Sequence, residues 1–87
     1  MNPYNLNTND ISIKTWIRMK ARMRKTWFTK IEIEGWMKEY CEKTGLTRGM
    51  EGALRRTREL VREDKVLDQK ERKSANKIKY ALYRYLF

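Results

Sequence analysis

The segment "KTGLTRGMEGALRRTREL", residues 43–60, decides how this chain is read. It opens on a glycine turn and runs into a register of apolar residues set among arginines. A helix that is only solvated needs no apolar register, and one that is only structural gains nothing from Gly49 and Gly52. Gly45 is placed to take the left-handed conformation that ends a preceding helix, and Thr47 can cap a new one. Met50, Ala53, Leu54, Thr57, Leu60 and Val61 then fall on one helical face. The spacing predicts a helix over 47–63, and the question is what meets its basic side.

Upstream lies "TWFTKIEIEGWMKEYCEKTG", residues 26–45. Thr29 and Glu32 have the spacing of a capping box, with Phe28 and Ile33 as its hydrophobic staple. Ile33, Trp36, Met37, Tyr40 and Cys41 form an apolar stripe, so a helix is predicted over 30–43. Thr26 to Phe28 favours a strand and can pair with one elsewhere. Further back, Ile13, Trp16, Ile17, Met19 and Met23 alternate with Lys14, Arg18, Lys20, Arg22 and Arg24, which predicts an amphipathic helix over 11–24. Its "RMKARMRK" run would suit an RNA or an acidic protein surface on one side, while the Met and Trp stripe packs on the other. Downstream, "KVLDQKERKSANKIKYALYRYLF" loses the helical period, and Ser74 to Asn76 supplies a turn. A β-hairpin is predicted, with strands over 66–72 and 77–86.

Composition sets the outer bounds. A chain of 87 residues makes one small domain, here 11–87 behind an arm at 1–10, and leaves little room for a deep enzyme cleft. With 21 Lys and Arg against 11 Asp and Glu, a formal charge of +10 points to a polyanionic partner. One cysteine and no histidine exclude an intrachain disulfide, a Cys/His zinc set and an imidazole base. No catalytic group is visible, so neither enzyme activity, nor a metal, nor a cofactor is expected. "MNPYNLNTND" has no signal-peptide pattern and no stretch is long enough to span a membrane, so a cytoplasmic setting is expected. Trp16, Trp27, Trp36, Tyr40, Tyr80 and Tyr83 read as core rather than as a base-stacking set, Cys41 as a packed thiol, and Glu32, Glu34, Glu39 and Glu42 as a solvated face with its cap.

Helix, short strand, helix, Gly turn, helix and basic hairpin, in that order, resemble the winged helix-turn-helix family over residues 29–86. The closest likeness is "TGLTRGMEGALRRTREL", followed by the final-strand pattern "IKYALYRYL". Two positions depart from the usual form: Thr57 stands where an aliphatic residue is common, and Lys65 where a glycine often follows the recognition helix. The resemblance implies an α+β fold of three helices and a C-terminal wing, with helix 47–63 in the major groove of duplex DNA and the wing at 70–79 on the backbone. Carried over by position, with Met50, Leu54 and Val61 on the core face, Arg48, Gly52, Arg55 and Glu59 lie opposite and Arg56 and Arg62 flank them. Gly49 and Gly52 would let the helix approach the groove closely. Lys70, Arg72, Lys73, Lys77 and Lys79 cluster around the wing turn, and Thr44 at the tight turn and Thr47 at the exposed helix start could bond a phosphate, which free backbone N–H groups there attract. The expected role is a small regulator of transcription, replication or recombination. The alternative is a protein-interaction module, such as a phage or other viral inhibitor of a host enzyme that handles nucleic acid. Apolar residues on both faces of "YALYRYLF" leave surplus surface for the first helix or for a second copy, the latter favouring a homodimer.

Overall fold

The computed structural model describes residues 12–45 and 49–87. The expected arm at 1–10, and Thr47 and Arg48 with it, lie outside the described residues. Three helices are followed by two strands: α1 (Ile13–Arg24), α2 (Lys30–Thr44), α3 (Met50–Arg62), β1 (Leu67–Lys73) and β2 (Lys79–Tyr85). This is the α+β layout predicted, and it is consistent with a winged helix arrangement.

Local chemistry accounts for the boundaries. The Ser12 hydroxyl accepts a hydrogen bond from the Thr15 amide at 3.1 Å and caps α1 at Ile13; the expected start at Ile11 lies outside the described residues. The capping box is present at α2: the Thr29 side chain accepts from the first turn, and the Glu32 carboxylate accepts from the Thr29 amide at 2.7 Å. Gly45 ends α2 with φ 73°, the left-handed value predicted for it. The start of α3 differs from expectation. Its N-cap is Gly49, in extended conformation and without a side-chain cap bond, so the helix begins at Met50 and not directly behind Thr47. Lys65 takes φ 56°, which explains why glycine suits that position.

Strands β1 and β2 pair antiparallel from Leu67 opposite Tyr85 to Lys73 opposite Lys79. The turn is longer than Ser74 to Asn76. The Ser74 amide donates to the Ile78 carbonyl, the Lys77 amide donates to the Ser74 carbonyl, and Lys77 has φ 62°. That is a three-residue hairpin loop whose last residue is left-handed. The predicted run before α2 does find its strand: Phe28 and Tyr83 exchange both backbone hydrogen bonds at 2.8 Å, which fastens the α1–α2 connection to the sheet.

The core gathers where these elements meet. Phe28, Ile17, Ile33, Leu60, Leu67 and Thr57 are fully buried, and each large apolar side chain among them contributes roughly 1.5–3 kcal/mol. Phe28 sits between Trp36 and Tyr83, at 4.8 and 5.7 Å between ring centres. The Trp16 indole donates to the Trp36 carbonyl at 2.8 Å and joins α1 to α2. On α3 the buried centre is Ala53, Thr57 and Leu60, with Met50, Leu54 and Val61 half-buried beside them. The polar Thr57 is tolerated because its hydroxyl donates to the Ala53 carbonyl at 2.9 Å. Not every aromatic joins the core: Trp27 is half-buried on the outer sheet face and Tyr80 is 40% exposed.

Candidate nucleic-acid interface

With Ala53, Thr57 and Leu60 turned inward, α3 presents Arg55, Arg58 and Arg62 outward at i, i+3 and i+7. The three line one shallow hollow of about 230 Å³ together with Glu59 and Glu63. Arg58 also borders a larger groove of about 550 Å³ between α3, the start of α2 and β2, where Lys30 and Lys79 join it. Lys79 in turn borders a third hollow with Glu71, Arg72 and Lys73 at the hairpin tip. Shared residues thus link helix and hairpin into one continuous basic surface. Among the described residues none of Arg55, Arg58, Arg62, Arg72, Lys73, Lys77 and Lys79 forms an ion pair.

The sequence-predicted site residues fare unequally. Arg55 is exposed as expected. Gly52 lies in the first turn of α3, and a Cβ there would meet nothing within 4 Å, so the rest of the domain does not demand glycine at that position. Arg56 is engaged: its guanidinium donates to the Glu59 carboxylate at 2.6 Å. Lys14 of α1 lies 3.4 Å from the same carboxylate and 2.7 Å from Asp64. Partial burial alone would push the Glu59 carboxyl up, but hydrogen bonds from Arg56 and Lys14 hold it below its ordinary value. Thr44 is the last residue of α2, just before the Gly45 turn, and its hydroxyl donates to the Tyr40 carbonyl at 2.8 Å.

On the hairpin, Arg72, Lys73, Lys77 and Lys79 are exposed near the tip. Lys73 and Lys79 face each other across the strands, a like-charge pair that costs stability unless an anion arrives. Lys70 belongs elsewhere. It lies mid-strand on the outer sheet face, with its ammonium 4.1 Å from the centre of the Trp27 ring, and Arg84 covers the same ring at 4.7 Å. Arg58 and Lys30 went unnoticed as site residues in the sequence. The Arg55, Arg58, Arg62 spacing was a signal for the first; the second joins the groove only through tertiary packing. Burial pushes the Tyr83 phenol up, against the pull of the Arg58 guanidinium nearby.

The first helix spends its cations differently. Lys20 pairs with Glu39 at 2.9 Å and Arg24 with Glu32 at 3.5 Å, which leaves Arg18, Arg22 and Lys25 exposed. Among the described residues no helix is long and apolar enough to cross a membrane. No family model, curated protein or solved structure matches this chain.

Proposed function

We propose that this chain is a non-enzymatic duplex-DNA-binding protein, a small regulator of transcription, replication or recombination, that lays α3 in the major groove and the hairpin tip against the backbone. The observation that carries the reading is the run of adjoining hollows that holds Arg62, Arg55, Arg58, Lys79, Lys73 and Arg72, cations that form no ion pair among the described residues although Glu59, Glu63 and Glu71 share the lining. Cations left without acidic partners, two of them facing each other across a hairpin, are relieved by an external row of phosphates. Within that surface the roles divide. Arg55, on a packed helix, can be aimed at a guanine edge, a bidentate contact that discriminates by roughly 1–3 kcal/mol. Lys77, on an open turn, holds phosphate without reading sequence.

Binding isotherms at several salt concentrations, on a selected site and on a scrambled duplex, test this. Arg55→Ala is expected to weaken the selected site more than the scrambled one. Lys77→Ala is expected to weaken both equally and to flatten the log–log salt dependence by about 0.9 unit. Wild-type protein that binds no duplex at low salt would overturn the proposal.

A further inference from the structure

The larger groove combines three features, the first two of which the DNA reading leaves unused. The first is an open strand edge. In β2, Tyr83 turns its amide and carbonyl toward Phe28, whereas the bond from the Leu86 amide to the Val66 carbonyl and that from the Ser74 amide to the Ile78 carbonyl set the alternation toward β1. By that alternation Tyr80, Leu82 and Arg84 bond β1, while Lys79 and Ala81 direct their backbone groups to the same edge as Tyr83. Phe28 ends the pairing on that edge, and among the described residues nothing pairs with Lys79 or Ala81 there. The second feature is an apolar wall: Ile31 is 74% exposed, with half-buried Leu54 and Ala81 beside it. The third is charge. Lys30, Arg58 and Lys79 rim the groove, and among the described residues no Asp or Glu lines it.

We propose that this edge takes an acidic, extended peptide segment as an added strand on β2, its backbone bonding Lys79 and Ala81, its apolar side chains on Ile31 and Leu54, and its carboxylates on Lys30, Arg58 and Lys79. A strand edge supplies the backbone bonds and the flanking pockets choose the side chains. Lysine at an edge discourages pairing with neutral or basic strands, so the charge selects an acidic one. Because Arg58 and Lys79 also belong to the basic surface, peptide and duplex DNA compete for them, and an acidic protein tail releases the protein from DNA.

The test is a titration of amide-labelled protein with a six-residue peptide of alternating glutamate and valine, followed by NMR, beside the same peptide with lysine in place of glutamate. Shifts at Ile31, Lys79 and Ala81, with slowed exchange of the Ala81 amide, are expected for the acidic peptide alone. Lys79→Glu, at an exposed position, is expected to weaken it roughly tenfold, a difference of about 1.4 kcal/mol. Ala81→Pro removes the outward amide without deleting a bond to β1 and is expected to abolish binding; spectra of each variant without peptide report its fold. A 20-base-pair duplex added to the complex is expected to displace the peptide. Peptide binding without any duplex binding would uphold this proposal and overturn the DNA reading. Duplex binding with no response to the acidic peptide, or equal response to the lysine peptide, would overturn this proposal and leave the DNA reading standing.

Discussion

Helix α1 and the surface formed by α3 and the hairpin tip are both rich in lysine and arginine, yet they use the charge in opposite ways. On α1, Lys14, Lys20 and Arg24 reach carboxylates on other parts of the chain, so the cations fasten the helix to the end of α3 and to α2. On α3 and the hairpin, seven cations have no ion pair among the described residues, and Lys73 and Lys79 repel each other. Formal charge of +10 does not distinguish these faces. What distinguishes them is whether the fold brings an acid within reach.

The largest effect that follows is on DNA affinity. Replacing Arg55, Arg58 and Arg62 together by glutamate is expected to lower duplex affinity by roughly 100-fold or more at about 0.1 M salt, since three phosphate-facing charges are reversed. Replacing Arg18 and Arg22 of α1 and Lys25, its C-cap, by glutamate changes the net charge equally and is expected to cost less than about tenfold. Equal losses in filter-binding or anisotropy measurements would mean that only total charge matters, and the contrast between the faces would collapse.

A smaller effect sharpens the contrast, because it has opposite signs for binding and stability. Lys73 and Lys79 form a pair that is not hydrogen-bonded, the closer of the two antiparallel arrangements, so two like charges start from neighbouring Cβ atoms. Lys73→Thr is expected to stabilise the protein by about 0.2–1 kcal/mol while weakening duplex binding several-fold and flattening its salt dependence. Thermal melts and isotherms on the same preparation check both signs. A variant that loses stability would show that the pair is not strained in the unbound protein.

Much of the fold is legible in the sequence because its signals are local. The capping box at Thr29 and Glu32, the left-handed Gly45 and the loss of helical period after Lys65 each act within a few residues, and each sets an element boundary seen in the structure. The start of α3 is misread because Thr47, a good cap, precedes a glycine that serves as the cap without a side chain. The site is less legible. That Arg56 is engaged with Glu59 was readable from the i, i+3 spacing. That Lys70 lies on Trp27 was not, because it depends on Phe28 meeting Tyr83 from the far end of the chain and on which sheet face each neighbour then takes. Thr57 breaks the apolar register in sequence yet is buried as completely as Leu60, since its hydroxyl finds a carbonyl one turn back.

The smallest predicted effect probes the paired face alone, through pH. Partial burial would raise the Glu32 carboxyl, but hydrogen bonds from the Thr29 hydroxyl and amide, with Arg24 nearby, hold it below the ordinary 4.5. Hydrogen bonds from Lys20 and Lys43 lower Glu39 likewise. A carboxyl whose folded value is depressed stabilises the fold above its unfolded value and loses that contribution as pH falls through the folded one. Glu32→Gln is therefore expected to cost about 1 kcal/mol at pH 7, the scale of a helix cap, and Glu39→Gln to add a smaller loss. Both differences from wild type should shrink as pH drops below 4.5 and vanish once the carboxylates are protonated. Substitutions of Arg55 and Arg58, which form no ion pair among the described residues, should change acid stability in proportion to net charge only. Melting curves between pH 2.5 and 7, in low and high salt, separate the two cases, since salt screens the net-charge effect more than it screens a hydrogen-bonded cap. A Glu32→Gln gap that stayed constant across this range would show that the cap does not depend on the carboxylate's charge, and would remove the clearest ionic tie on the paired face.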